Sequence, residues 1–335
     1  MKTLRNLFPR LCDPGHLDCA ADLTVRGKRR RRDVAWFLFR REAELERIRA
    51  ALVAGRYQPE GFELVTIRDP KPRLIARVPI ADRVVHTALM SLVEPLFTRS
   101  LLPDAYACRP GFGTHRAVLR LQELMRRHRF AVHLDVKSYF PSIDREILRR
   151  LLARRIRDDR FLAVIDRVLE AGAGIYDPPA ARSAAHLADD WPPPGRGLPI
   201  GAYTSQIFAA HVYLAGLDHF VKRQLKVPAL LRYVDDVFCF GDRRADLRRW
   251  RREIGAWLRE ERHLRLKHPE ARILSCRGHL DALGYRLLRR DRHPLPRALR
   301  RLRRRAAAEL AASPARPAKV DFARSVAASA GVVLF

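Results

Sequence analysis

Two short runs in this 335-residue chain put carboxylates where a strand should be apolar, and they constrain its fold more than any other feature. The first is Leu134-Asp135-Val136-Lys137-Ser138-Tyr139-Phe140-Pro141-Ser142-Ile143-Asp144; the second, 100 residues further on, is Arg232-Tyr233-Val234-Asp235-Asp236-Val237. An ionised carboxylate buried among such neighbours is costly unless a cation or hydrogen bonds compensate it. Strands laid side by side, with Asp135 and Asp235 sharing divalent metal, would meet that need. Shared metal between carboxylates is the chemistry of two-metal polymerases and nucleases. An Asp-Asp pair is also the ordinary tip of a hairpin, so the second run alone is balanced between turn and metal site.

Between the two runs lies Gly197-Leu198-Pro199-Ile200-Gly201-Ala202-Tyr203-Thr204-Ser205-Gln206, followed by Ile207-Phe208-Ala209-Ala210-His211-Val212-Tyr213-Leu214. Its Gly and Pro punctuation reads as a loop, and the spacing of Phe208, Val212 and the alanines as a helix with one face to a core. Small residues let such a loop approach a flat ligand, such as a base pair. A plain strand-to-helix turn would look the same in isolation.

In this order the three elements resemble the palm of a reverse transcriptase, with its motifs A, B and C. Arg77-Val78-Pro79-Ile80-Ala81-Asp82-Arg83-Val84-Val85-His86-Thr87-Ala88-Leu89 and Tyr106-Ala107-Cys108-Arg109-Pro110-Gly111-Phe112-Gly113-Thr114-His115-Arg116-Ala117 resemble the fingers of bacterial members. Leu283-Gly284-Tyr285 resembles the hairpin at the base of the thumb, so the resemblance covers roughly residues 24 to 290. Group II intron and retron enzymes typically carry Gln where Ile200 stands and Pro where Gln206 stands. The combination here is similar to the reverse transcriptases of diversity-generating retroelements, which copy a template RNA into cDNA with frequent errors opposite adenine.

The resemblance implies an α+β, right-hand polymerase fold: N-terminal segment and fingers over 1–129, a palm of antiparallel sheet backed by helices over 130–288, and a short basic thumb over 289–335. It implies an RNA-directed DNA polymerase in which Asp135, Asp235 and the Val136 carbonyl hold two Mg²⁺ ions, with Mn²⁺ an alternative. Asp236 would sit beside them, facing mostly the other way, as electrostatic support and a further metal-site residue. Lys71 and Arg73 would clamp the triphosphate. Phe140 stands where the family places a steric gate against a ribose 2′-hydroxyl, whereas core packing suits Tyr139. Ile200, Gly201 and Gln206 would line the nascent pair, and Arg109, Ser205 and Tyr233 would touch template and primer. The implied partners are template RNA, RNA/DNA heteroduplex, dNTPs and a small basic helical accessory protein. Two departures stand out. Ala271 occupies the place of a family lysine, for which Lys267, His268 or Arg272 would substitute. The chain also ends on Gly331-Val332-Val333-Leu334-Phe335, apolar enough to suggest a docking partner or a shortened thumb.

Composition agrees. Lys plus Arg number 66 against 37 Asp plus Glu, a net charge of +29 that attracts polyanions and makes binding salt-dependent. No signal peptide and no run of about 20 apolar residues is visible, so no membrane is expected. Five cysteines without a C-x-x-C pair read as reduced, cytoplasmic thiols. Periodicity predicts a helix over 34–54 ending at Gly55, a hairpin over 62–80, and helices over 82–96, 114–128, 145–170, 244–262 and 296–312. The Gly/Pro-rich stretch 171–197 is expected to be an exposed connection without chemistry. Asp144 is expected to be a helix N-cap, and Asp82 a cap or the ion-pair partner of Arg83. The cationic run Gly27-Lys28-Arg29-Arg30-Arg31-Arg32-Asp33 is balanced between a solvated cluster and a template-phosphate contact. Rival readings are a group II-like or defence-associated reverse transcriptase, a non-catalytic nucleic-acid-binding protein with a relict palm, and a metal-dependent nuclease. Intact carboxylates argue against the second, because a binding module gains nothing from negative charge beside its polyanion. The fingers segments and motif B argue against the third.

Overall fold

Alternate residues of the two acidic strands face opposite cores, which is why both runs read as nearly unbroken apolar sequence. The computed structural model describes residues 3–67 and 73–311. Lys71 and the apolar C-terminal end therefore lie outside the described residues. The strands are β1 (Glu63–Ile67), β2 (Arg73–Arg77), β3 (Phe130–Asp135), β4 (Ala229–Tyr233), β5 (Asp236–Gly241), β6 (Leu274–Ser275), β7 (Leu280–Ala282), β8 (Tyr285–Leu287) and β9 (Arg292–Pro294). One antiparallel sheet, ordered β4-β5-β3-β6, carries both acidic runs. Its register pairs Val132 with Cys239 and Leu134 with Val237 on one face, and Ala131 with Phe240 and His133 with Phe238 on the other. The first face packs into the large core with the helices; the second packs on the Thr114–Arg127 helix and on β7 and β8. With its separate hairpin β1-β2 and ribbon β7-β8-β9, the architecture is α+β.

The Ile80–Ser100 helix is buried along most of its length, which matches its almost continuous apolar sequence. It runs past Pro95 and packs against the Pro14–Val25 helix and the short Tyr203–Ile207 helix within motif B. Helices Thr114–Arg127, Arg244–Arg262 and Pro296–Ala311 fall where periodicity puts them. No helix among the described residues is long and apolar enough to cross a membrane.

Four expectations need correction. The 34–54 helix is two helices, Arg32–Phe39 and Arg41–Val53, broken at Arg40 where φ is −110°. Likewise 145–170 divides into Arg145–Ala153 and Asp159–Glu170, because Asp158 caps the second helix and also accepts from the amides of Leu7 and Phe8. Asp144 does cap the first of these. Asp82 is neither cap nor partner of Arg83: its buried carboxylate accepts from the Tyr57 hydroxyl and the Glu60 amide, while Arg83 pairs with Asp33. The stretch 171–197 is not an exposed connection, because Tyr176 and Trp191 are buried. The Trp191 indole donates to the Lys137 carbonyl (3.3 Å), two residues past Asp135.

Behind the sheet, motif B continues into two π-helical stretches, Phe208–Tyr213 and Phe220–Gln224. The helix between them carries Asp218, which forms a fully buried ion pair with Arg232 of β4 (2.7 Å). Removing one partner of such a pair strands a buried charge at a cost of about 3–5 kcal/mol, whereas replacing both with apolar residues is far milder. Urea denaturation of Arg232→Leu should register a loss of that size, and the Arg232→Leu/Asp218→Leu double variant should recover most of it. Equal losses in both would mean the pair does not hold this part of the fold.

Candidate active site

The turn joining β4 to β5 has only two residues, Val234 and Asp235, because Tyr233 pairs with Asp236. Val234 sits at φ 58°, a left-handed conformation that a β-branched residue adopts only under constraint. Arg232 supplies the constraint: its Nη1 donates to the carbonyls of Val234 (3.1 Å) and Ala210 (3.0 Å), while Nε and Nη2 hold Asp218. Motif C is thus fastened to the helix of motif B. Sequence reasoning missed Arg232, although a lone arginine in an otherwise apolar strand was the available signal.

The two acidic runs do meet. Asp135 is the cross-strand neighbour of Asp236, and Asp235 lies at the adjoining turn. Burial, then the charges of Asp236 and Asp135, push Asp235 up to about 7, while the nearby Arg73 of β2 pulls the other way. Asp236 is turned aside: its Oδ1 is 2.6 Å from His133 Nε2, and the His133 ring stacks on Phe238 at 4.3 Å. On the other side of Asp135, the Lys267 amide donates to the Asp135 carbonyl (2.8 Å) and the Lys267 Nζ to its carboxylate (3.3 Å). Lys137 N–H pairs with the Arg265 carbonyl (2.8 Å). Backbone groups alternate edges along a strand, so the Val136 carbonyl points the opposite way, towards the β4–β5 turn.

This donor set suits a hard divalent cation in kind: an Asp235 carboxylate whose proton affinity is raised by burial and by the charges of Asp236 and Asp135, and a backbone carbonyl on the same side of β3. Among the described residues no three acidic, histidine or cysteine side chains already converge on one point. Asp135, Asp235 and the Val136 carbonyl are therefore the groups that would hold metal, with Asp236 held back by His133.

The motif B loop forms a wall of the cleft. Gly201 has φ 118°, and a Cβ there would stand 2.5 Å from the Ala76 carbonyl, so only glycine lets the loop lie against β2. The Ile200 carbonyl accepts from the Ala76 amide (2.7 Å), and its own amide faces the Tyr176 hydroxyl at 3.4 Å. Tyr176, in the stretch read as chemically empty, also closes on Gly197, where a Cβ would meet its ring at 2.7 Å. Phe140 is partly exposed and lies edge-on to the buried Tyr139, whose hydroxyl donates to the Ala209 carbonyl. Gln206 is exposed and bonds the Cys108 thiol, which burial raises.

The three residues expected at template and primer differ in exposure, and two of them have partners within the fold. Ser205 is buried in the Tyr203–Ile207 helix. The Arg109 guanidinium donates to the Leu102 and Ala105 carbonyls and covers the Phe112 ring at 3.9 Å, so it holds its own loop. The Tyr233 hydroxyl is engaged by Thr114 at 2.9 Å.

The sequence model of the family described as reverse transcriptase (RNA-dependent DNA polymerase) matches residues 67–287. Protein YkfC of Escherichia coli (strain K12) is 29% identical over 136 residues, covering 38% of this chain and 36% of that protein. Group II intron-encoded protein LtrA of Lactococcus lactis subsp. cremoris is 24% identical over 191 residues, covering 56% of this chain and 29% of that protein. The chain thus spans about a third of the length of these relatives. A solved telomerase from Candida albicans, in complex with a fragment of telomeric RNA, overlaps 83% of this chain and 54% of its own at 11% identity, with a TM-score of 0.47.

The raised Asp235 has a thermodynamic signature. Its acidity is about 7 in the folded protein against an ordinary 3.8, so ionising it disfavours folding. The penalty is absent below the lower value, grows between the two and is complete above about 7. With chelator present, Asp235→Asn should therefore raise Tm relative to wild type at pH 8 and lose that advantage in acid. Added Mg²⁺ should close the gap by stabilising wild type alone.

Proposed function

We propose that this chain, which belongs to the reverse transcriptase (RNA-dependent DNA polymerase) family, copies RNA into DNA at the Asp135–Asp235 cleft. The observation that carries the reading is Asp235 itself, a carboxylate held at a strained turn among other carboxylates, where it is unfavourable without a cation. Its surroundings support the same reading: the Gly201 loop forms a wall, and Arg73 reaches in from β2. Residues 1–129 would be N-terminal segment and fingers, 130–288 palm, and 289–335 a short thumb.

Divalent metal bound at this cleft would activate a primer hydroxyl and neutralise the triphosphate, which is the chemistry of two-metal nucleotidyl transfer. The chain's own residues would do the rest. Arg73 and Lys71 would hold the triphosphate by charge. Phe140, partly exposed at the mouth of the cleft, would exclude a 2′-hydroxyl. Gly201 would let the loop backbone lie against the nascent pair. Lys267 is the best substitute for the missing family lysine, because its ammonium lies 3.3 Å from the Asp135 carboxylate and can hand a proton to the departing pyrophosphate. Asp236, kept in place by His133, would lend negative potential without joining the metal.

The finer assignment, to the error-prone enzyme of a diversity-generating retroelement acting in mutagenic retrohoming, rests on Ile200 and Gln206. An isoleucine beside the incoming nucleotide offers no side-chain hydrogen bond to enforce base geometry. A small basic accessory protein, a dedicated template RNA and a cytoplasmic setting belong to this reading. The similarity to a group II intron-encoded protein favours a second reading, a group II-like reverse transcriptase, and fidelity separates the two.

On a primed RNA template, Mg²⁺-dependent dNTP incorporation is expected in wild type and should fall by orders of magnitude in Asp135→Asn and Asp235→Asn. Incorporation that survives both would refute the site. Lys267→Ala should slow single-turnover incorporation by roughly 10²–10⁴-fold, the usual worth of a general acid. Sequenced products should carry errors concentrated at template adenines. Ile200→Gln should lower misinsertion about fivefold, the value of one net hydrogen bond. Accurate copying by wild type would move the chain to the group II-like lineage.

A further inference from the structure

Outside the cleft, an open groove of about 1230 Å³ lies between the Arg32–Phe39 helix, the end of β2 and the start of the Ile80–Ser100 helix. Its most unusual feature is two uncovered aromatic side chains. Trp36 is 62% exposed and Phe39 82%, the greatest exposures among the described large hydrophobic residues. They stand three residues apart on one helix face, rings 6.0 Å apart and inclined by 29°. The opposite face buries Val34 and Phe37, so the helix is firmly seated while its outer rings remain free.

The charge around these rings is one-sided. Arg77 is paired with Glu63, and Arg31 and Arg83 share Asp33, which uses up the acids lining the groove. Arg32, which lines the groove, and Arg29 and Arg30 just before it in sequence are exposed and make no ion pair among the described residues, and Arg40 lies over the Trp36 ring at 6.0 Å. A basic accessory protein would be repelled here. A duplex keeps its bases stacked on each other and has none to offer the rings. An unpaired strand brings phosphates for the arginines and base faces for Trp36 and Phe39, the pairing of charge and stacking that holds single strands elsewhere.

We propose that this groove binds an unpaired stretch of RNA, with bases stacked on Trp36 and Phe39 and phosphates held by Arg29, Arg30 and Arg32. That the strand is template RNA rests on the function proposed above. Its placement agrees: Ala76 of β2 is bonded to the Ile200 carbonyl at the cleft wall, and the next residue, Arg77, lines the groove. One strand of the fold thus touches both places.

The test is equilibrium binding of the full chain, without dNTPs or Mg²⁺, to a short fluorescein-labelled oligouridylate and to a duplex RNA of equal length. The Trp36→Ala/Phe39→Ala variant should bind the single strand roughly 10–100-fold more weakly and the duplex as well as wild type does. Trp36→Tyr/Phe39→Tyr, which keeps the ring faces, should retain single-strand affinity. Unchanged single-strand binding in the alanine variant overturns the proposal, whatever protein partner it loses, and so does an equal loss on both RNAs. Unaltered thermal melting shows that the alanine variant is folded. Incorporation by wild type is measured separately. A chain that binds the single strand through these rings but never extends a primer keeps the groove and loses the polymerase reading. An active polymerase whose RNA binding ignores the rings does the reverse.

Discussion

The buried pairing of Arg232 with Asp218 is the interaction on which the arrangement of the cleft depends. A guanidinium 1% exposed is tolerable only when its donors are satisfied, and here it makes four hydrogen bonds. Two go to Asp218, one to Ala210 within the first π-helical stretch, and one to Val234 at the tip of motif C. The π-helical stretch has a matching role. The neighbouring Ala209 carbonyl accepts from Tyr139 of motif A, so adjacent carbonyls of one widened turn hold the two acidic motifs in place. Motifs distant in sequence are registered through one helix.

Fastened in this way, the tip can hold what would otherwise relax. A left-handed valine costs about 1–3 kcal/mol. The Asp235 carboxylate beside it is disfavoured by its own burial and by the charges of Asp236 and Asp135. Both penalties fall within two adjacent residues, and the surroundings over-determine them: the β4–β5 ladder on either side, Arg232 behind and His133 on Asp236. Local rules of turn and charge fail together where a cation would restore them, the pattern expected of a binding centre rather than a packing defect.

Much of this was legible in the sequence, and the misses have physical causes. Strands β3, β4 and β5 were readable because period-two burial on both faces leaves an apolar run that an aspartate interrupts conspicuously. The Arg244–Arg262 helix was readable from one apolar stripe. The break at Arg40 was not, because both flanking helices are rich in residues that continue a helix, and Phe37 and Ile48 are buried on either side of it. The 171–197 stretch misled because Gly and Pro signal irregular backbone, not exposure. Its Tyr176 and Trp191 were the better guide, since large aromatics in an irregular segment need something to cover them. An arginine inside a recognisable motif invites a ligand, and the sequence does not show that the Arg109 guanidinium also holds the Leu102 and Ala105 carbonyls of its own loop.

Lys267 is proposed for the lysine absent at Ala271 on the strength of strand pairing rather than spacing. The Ala271 amide bonds the His268 carbonyl and its carbonyl accepts from Arg251, so that position belongs to a turn packed on the Arg244–Arg262 helix. The preceding residues 265–267 instead lie along motif A, bonded at Lys137 and Asp135. A residue whose backbone is hydrogen-bonded to Asp135 has its side chain delivered to the cleft at a fixed height, and Lys267 is that residue. Counting along a sequence measures distance through a flexible connection. The ladder measures it through hydrogen bonds, and when the two disagree the ladder decides which ammonium reaches the carboxylate.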